Sequence, residues 1–90
     1  MTEEMRDSLM NRARAIGEGD AWRLLQPLKD GKNWKGVRDQ LDNMAPWMAG
    51  VACDELLTDA KETATYQEEL AITASYLAGY ADGAIGVLND

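Results

Sequence analysis

The last third of this chain constrains its fold most. From Thr65 to Leu88 there is no proline, and small or apolar residues recur at every third or fourth position on several sides at once. Leu70, Ala74, Leu77, Ala81, Ala84 and Leu88 follow a four-three spacing, a seven-residue repeat with alanine at half of its positions. Beside it run Ser75, Gly79 and Gly83, and on a third side Ile72, Tyr76 and Tyr80, each at intervals of four. This spacing predicts one long helix that is apolar or small almost all round, and such a helix must be buried on more than one side. Glycine inside a helix costs about 1 kcal/mol relative to alanine, so Gly79, Gly83 and Gly86 need close packing to offset them. The Ser75, Gly79 and Gly83 stripe is the expected self-association face.

The remainder also reads as helical. Val, Ile and Thr are sparse, strict alternation is absent, and Ala, Leu, Glu, Met, Gln and Arg dominate. A first helix is expected from Glu3 to about Ile16, capped by Thr2, closed by Gly17, and burying Met5, Leu9, Ala13 and Ile16. A shorter one follows Asp20 with Trp22, Leu24 and Leu25, and Pro27 either ends it or starts a further turn. Asp30-Gly31-Lys32-Asn33 is a turn, and Asn33 caps a third helix bearing Trp34, Val37, Leu41 and Met44. Pro46 breaks or restarts that helix, and a central one follows with Trp47, Met48, Val51, Ala52, Leu56 and Leu57 on a broad apolar face. It ends or bends between Thr58 and Thr65. The expectation is an all-α fold in a single domain over residues 1–90, a compact bundle of four to five helices with a long Ala/Gly-rich C-terminal helix. The three tryptophans, with no phenylalanine in the chain, are read as core anchors, one of them available to an interface.

Charge is distributed unevenly. Residues 1–45 are neutral, with eight basic and eight acidic side chains, whereas residues 46–90 carry eight acids and Lys61 alone, so the net charge of −7 belongs to the second half. An acidic half attracts basic partners at long range and repels polyanions.

Several kinds of chemistry are excluded or disfavoured. With no histidine, the usual general base and the commonest metal ligand are missing, so the chain is read as non-enzymatic, with no cofactor. No calcium-loop or phosphate-loop motif occurs. Cys53 is the only cysteine, which rules out an internal disulfide and fits a reducing cytoplasm; its acidic neighbours Asp54 and Glu55 disfavour a thiolate, so it is read as a buried small hydrophobe. No apolar run approaches the roughly 18 residues of a membrane span, and Met-Thr-Glu-Glu-Met-Arg-Asp does not begin as a signal peptide does.

Two surface patches remain as candidates. Asp54, Glu55, Asp59, Glu62, Glu68 and Glu69 form either a surface for a Lys/Arg-rich protein or a solvated face; the spacing of Glu55, Asp59 and Glu62 along one helical face would also suit a hard cation, but such faces commonly hold none. Lys29, Lys32, Trp34, Lys35 and Arg38 combine basic groups with an aromatic, as single-strand nucleic-acid binders do. The net charge opposes that use, and the spacing of Trp34 with Val37 and Leu41 favours a structural role.

The C-terminal stretch Tyr66-Gln-Glu-Glu-Leu70 through Tyr76-Leu-Ala-Gly79-Tyr-Ala-Asp-Gly-Ala-Ile-Gly-Val-Leu88 resembles the closing helix of the small, acidic, all-helical proteins that tailed bacteriophages encode. That resemblance implies a setting, virion or connector components and inhibitors of host machinery, without an activity or a single transferable residue. The expected function is a protein-binding module, an inhibitor or adaptor that meets a basic surface through Asp54, Glu55, Asp59, Glu62, Glu68 and Glu69, with Trp47 or Tyr80 as apolar anchor. The alternatives are a virion or connector component assembled through the C-terminal helix, and a nucleic-acid binder through the basic patch.

Overall fold

A computed structural model of the chain describes residues 1–90. It is all helical: α1 (Glu3–Asp30), α2 (Trp34–Asp39), a π-helical turn (Gln40–Met44), α3 (Ala45–Ala60) and α4 (Tyr66–Asn89). The two segments α2 and α3 are joined through the π turn without a break, so the chain forms three helical rods rather than four to five helices.

The expected breaks fail for identifiable reasons. Gly17 does not close a helix; α1 continues through it, through Gly19 and through Pro27 to Asp30. Pro46 stands in the first turn of α3, as the restart alternative has it, but the second rod is not broken there. Its ring would crowd the carbonyl four residues earlier in a regular α-helix. The wider π turn immediately before it, closed by Ala45 N–H donating to the Gln40 carbonyl, gives the chain an extra residue of slack there. Thr2 caps α1 through Met5 N–H, and Asn33 caps α2 through Gly36 N–H, both as expected. Thr65 and Glu68 form a reciprocal capping box at the start of α4. The turns after α1 and α3 each contain a left-handed lysine, Lys32 at φ 55° and Lys61 at φ 54°.

The three rods run up, down and up, so that α1 and α4 lie side by side and parallel, and they share the most extensive contact in the molecule. Their register follows from the glycines. A Cβ on Gly17 would lie 2.1 Å from the Tyr76 carbonyl oxygen, one on Gly79 1.9 Å from that of Arg14, and one on Gly83 2.7 Å from that of Glu18. Only hydrogen fits at these points, and backbone meets backbone along three turns. α3 lies against this pair through Ala45, Ala49, Ala52, Cys53, Leu56 and Leu57. The core is completed by Leu9, Ala13, Ala21 and Leu25 from α1, Val37 from α2, and Ile72, Tyr76, Tyr80, Ala84 and Val87 from α4. It contains no tryptophan. Trp22, Trp34 and Trp47 are 37%, 55% and 65% exposed, which corrects their reading as core anchors. The core is filled instead by alanines and two stacked tyrosines, Tyr76 and Tyr80, with ring centroids 6.2 Å apart.

Parallel alignment of α1 and α4 sets the negative ends of both helix dipoles side by side. Lys29 answers this by donating from Nζ to the Val87 carbonyl at 2.7 Å and the Asp90 main-chain oxygen at 2.5 Å.

Candidate functional site

The outward face of α3 changes character along its length. Its inward residues, Ala45, Ala49, Ala52 and Leu56, recur at three and four and are buried. On the opposite side Trp47 and Val51 are exposed and Met48 is half-buried, and Asp54, Glu55 and Asp59 follow on the same face, all exposed. An apolar half thus leads directly into an acidic half. Across from the apolar half, α1 contributes Ile16, Asp20 and Arg23, and the two helices enclose a groove of about 280 Å³ that also reaches Ala52 and Glu55. α1 and α3 touch sparingly compared with α1 and α4, which is why the groove stays open between them.

The groove's electrostatics are polarised. Asp20 is held by Arg23 at 3.3 Å and accepts the Tyr76 hydroxyl proton at 2.6 Å, so it is already satisfied. No ion pair engages Asp54, Glu55 or Asp59. Burial, then the hydrogen bond to the Asp20 carboxylate and its charge, push the Tyr76 hydroxyl far above the usual phenolic range. Tyr80, raised chiefly by burial and then by Asp20, has a buried hydroxyl with no hydrogen-bond partner.

The other residues expected at the surface separate from this group. Tyr80 is 1% exposed and lies in the core, so it is no anchor for a partner. Glu62 leaves the face of Glu55 and Asp59, because α3 ends at Ala60 and Lys61 turns the chain in the left-handed conformation. Glu68 is occupied with capping: its carboxylate accepts Thr65 N–H at 2.9 Å and lies 3.8 Å from the Met1 ammonium. The Thr65 hydrogen bond is the main reason its carboxyl titrates below the usual range. Glu69 is half-buried, and its carbonyl oxygen lies 3.7 Å from Cys53 Sγ. Burial first, with help from the charges of Asp54 and Glu69, holds the Cys53 thiol above its ordinary pKa. Gly79 and Gly83 are taken up by α1 of the same chain, which corrects the expectation that they present a face to a second copy. Ser75, half-buried, donates to the Ala71 carbonyl within its own helix.

The basic patch is also dispersed. Lys29 caps α4, and Arg38 pairs with Asp42 at 2.7 Å, leaving Lys32, Lys35 and Trp34 exposed. No group of three or more His, Cys, Asp or Glu side chains is placed to hold a metal ion, and no helix is long and apolar enough to cross a membrane.

Among the residues of the groove, the sequence marks only Trp47 and Glu55 as candidates for a surface site. By spacing, Ile16 reads as a core residue of a helix ending at Gly17 and Val51 as part of the broad apolar face of α3, whereas both are exposed. The signal was present in α3 as two apolar rows, one of alanines and one of bulky residues. The bulky row continues into Asp54, Glu55 and Asp59, which marks it as the outer one. No family model, curated protein or solved structure matches the chain.

Proposed function

We propose that this protein is a non-enzymatic binding module that docks a basic protein through the outer face of α3. The observation that carries this is Trp47, 65% exposed on the rim of an apolar groove, with three unpaired acids on the following turns of the same helix. Indole rings so exposed beside Ile16, Met48 and Val51 supply the anchor that interfaces need, since a few aromatic residues usually carry most of the binding energy. Asp54, Glu55 and Asp59 add steering and register, each exposed pair being worth only about 0–1 kcal/mol. The partner that fits is one with Lys or Arg spaced along a surface that ends in an apolar side chain able to enter the groove.

The test is capture of binding proteins from bacterial lysate by the wild-type chain, by Trp47→Ala, and by a triple charge reversal of Asp54, Glu55 and Asp59 to Lys. The wild type is expected to retain a basic protein that elutes as salt rises from about 50 to about 300 mM, which shortens the screening length from roughly 14 to 6 Å. Both variants should keep their helicity and lose that protein. Retention by both, at either salt, overturns the assignment of this face.

A further inference from the structure

One end of the bundle carries the chemistry that the α3 face asks of a partner. The turn after α1 gathers Lys32, Trp34 and Lys35 at a single tip, with Trp34 55% exposed and both lysines exposed and in no ion pair. The turn is well tied. Lys32 N–H donates to the Lys29 carbonyl at 2.9 Å, Asn33 N–H to that of Leu28 at 2.8 Å, and the Asn33 side chain accepts Gly36 N–H at 2.9 Å. Of the three exposed tryptophans, Trp34 alone is flanked by cations free of ion pairs, and it takes no part in the core. Held in place this way, it would lose little freedom on entering a partner.

We infer that the groove and acids on the outer face of α3 take this tip from a second copy of the chain, head to tail. The inference rests on the reading of that face as a docking surface and names an occupant for it. Trp34 enters the groove between α1 and α3, whose walls are Ile16, Met48 and Val51, with Arg23 at the edge to meet the face of the ring. A cavity of about 150 Å³ takes benzene, so a groove of about 280 Å³ accepts an indole. Lys32 and Lys35 then meet Asp54, Glu55 and Asp59, which no ion pair engages within the chain. Charge complementarity thus singles out the tip, two unpaired cations beside an apolar ring, for a face that offers a groove followed by unpaired acids.

A chain cannot fill its own groove, because Trp34 and Trp47 stand on the same rod, about 20 Å apart along it. The contact is therefore between copies and heterologous, each copy offering one tip and one groove. The tip is small and buries less than the about 1,200 Å² of a standard interface, so the contact is transient and yields to a basic protein that covers more of the face. The charge of −7 on each copy opposes approach and confines the association to high protein concentration.

Two complementary variants test this. Trp34→Ala with Lys35→Glu disables the tip, and Trp47→Ala with Glu55→Lys disables the face; all four side chains are exposed, so both proteins should keep the wild-type circular dichroism. In sedimentation equilibrium from micromolar to millimolar protein, the wild-type mass is expected to rise above 9.9 kDa, while each variant alone stays monomeric. Their mixture should associate again and stop at two copies, because the pair has no working tip or groove left. A wild type that stays monomeric at millimolar concentration overturns the inference, as does a variant that associates alone or a mixture that does not associate. The tip variant should still capture the basic protein from lysate; capture by it alongside a monomeric wild type overturns the self-docking and leaves the reading of α3 standing. A face variant that loses self-association but keeps lysate capture overturns the outside partner of this face instead.

Discussion

Two tyrosines one turn apart on α4 have the same burial and opposite hydrogen-bonding states. The Tyr76 hydroxyl donates to Asp20 at 2.6 Å, and the Tyr80 hydroxyl has no partner. A hydrogen bond to a charged acceptor contributes about 1.5–3 kcal/mol, and the partial solvation of Asp20 places this one near the lower figure. Tyr76→Phe is therefore expected to lower stability by about 1.5 kcal/mol, and Tyr80→Phe to leave it unchanged or raise it, as chemical denaturation would measure. The same residue gives a pH dependence. Tyr76 has its pKa raised in the folded state, so its contribution is complete below the unfolded value of about 10 and is lost as pH rises through the folded one. Melting temperature should fall above about pH 10, and less steeply in Tyr76→Phe; an equal slope in both proteins would remove Tyr76 as the cause. None of this pairing was legible in the sequence, because Asp20 and Tyr76 are 56 residues apart and nothing local joins them.

At the level of helices, glycine position decides between opposite outcomes. Gly79 has the Arg14 carbonyl where its Cβ would stand, whereas Gly19, also inside a helix, has nothing within 4 Å. Gly79→Ala must push α1 from α4, at about 1–3 kcal/mol or more, while Gly19→Ala should stabilise by about 0.5–1 kcal/mol through helix propensity. Urea midpoints that move the same way for both would disprove the close approach. The sequence showed that Gly79 and Gly83 needed a partner surface and did not show whose. A stripe of small residues has the same spacing whether it meets another helix of its own chain or of a second one. Gly17 was the missing half of that contact: its place after Ile16 suggested a helix end, because local propensity carries no record of a helix crossing there. The capped ends at Thr2 and Asn33 were legible because caps act through neighbours two or three residues away.

For the molecule as a whole, the departure from expectation concerns what is outside. The accessible surface is 5616 Å², against about 5,200 Å² for a compact monomer of this mass, and the bundle measures 44 × 21 × 19 Å. A core of alanines draws three helices close together, and the bulky indoles are left at the periphery. All-helical architecture was readable from composition and spacing; inside and outside were not, since aromatic residues are placed inside by rule of thumb and alanine is neutral in such reasoning. This makes a simple optical prediction. The native protein's tryptophan emission should be nearly as red as that of the unfolded chain and readily quenched by acrylamide, with little wavelength change on melting. A blue native spectrum would contradict the placement of Trp34 and Trp47.

The parallel pairing of α1 with α4 has a consequence in time. The most extensive contact in the molecule joins its first helix to its last, with the whole second rod between them. Until α4 is made, α1 has only the sparse contacts with the second rod to hold it, and a helix without its packing partner is marginal in water. During synthesis the first helix must therefore wait for the last, and folding is expected to be delayed until most of the chain is free. The intervening loop must then close before the glycine contacts form, which slows folding relative to a bundle of the same size held by neighbouring helices.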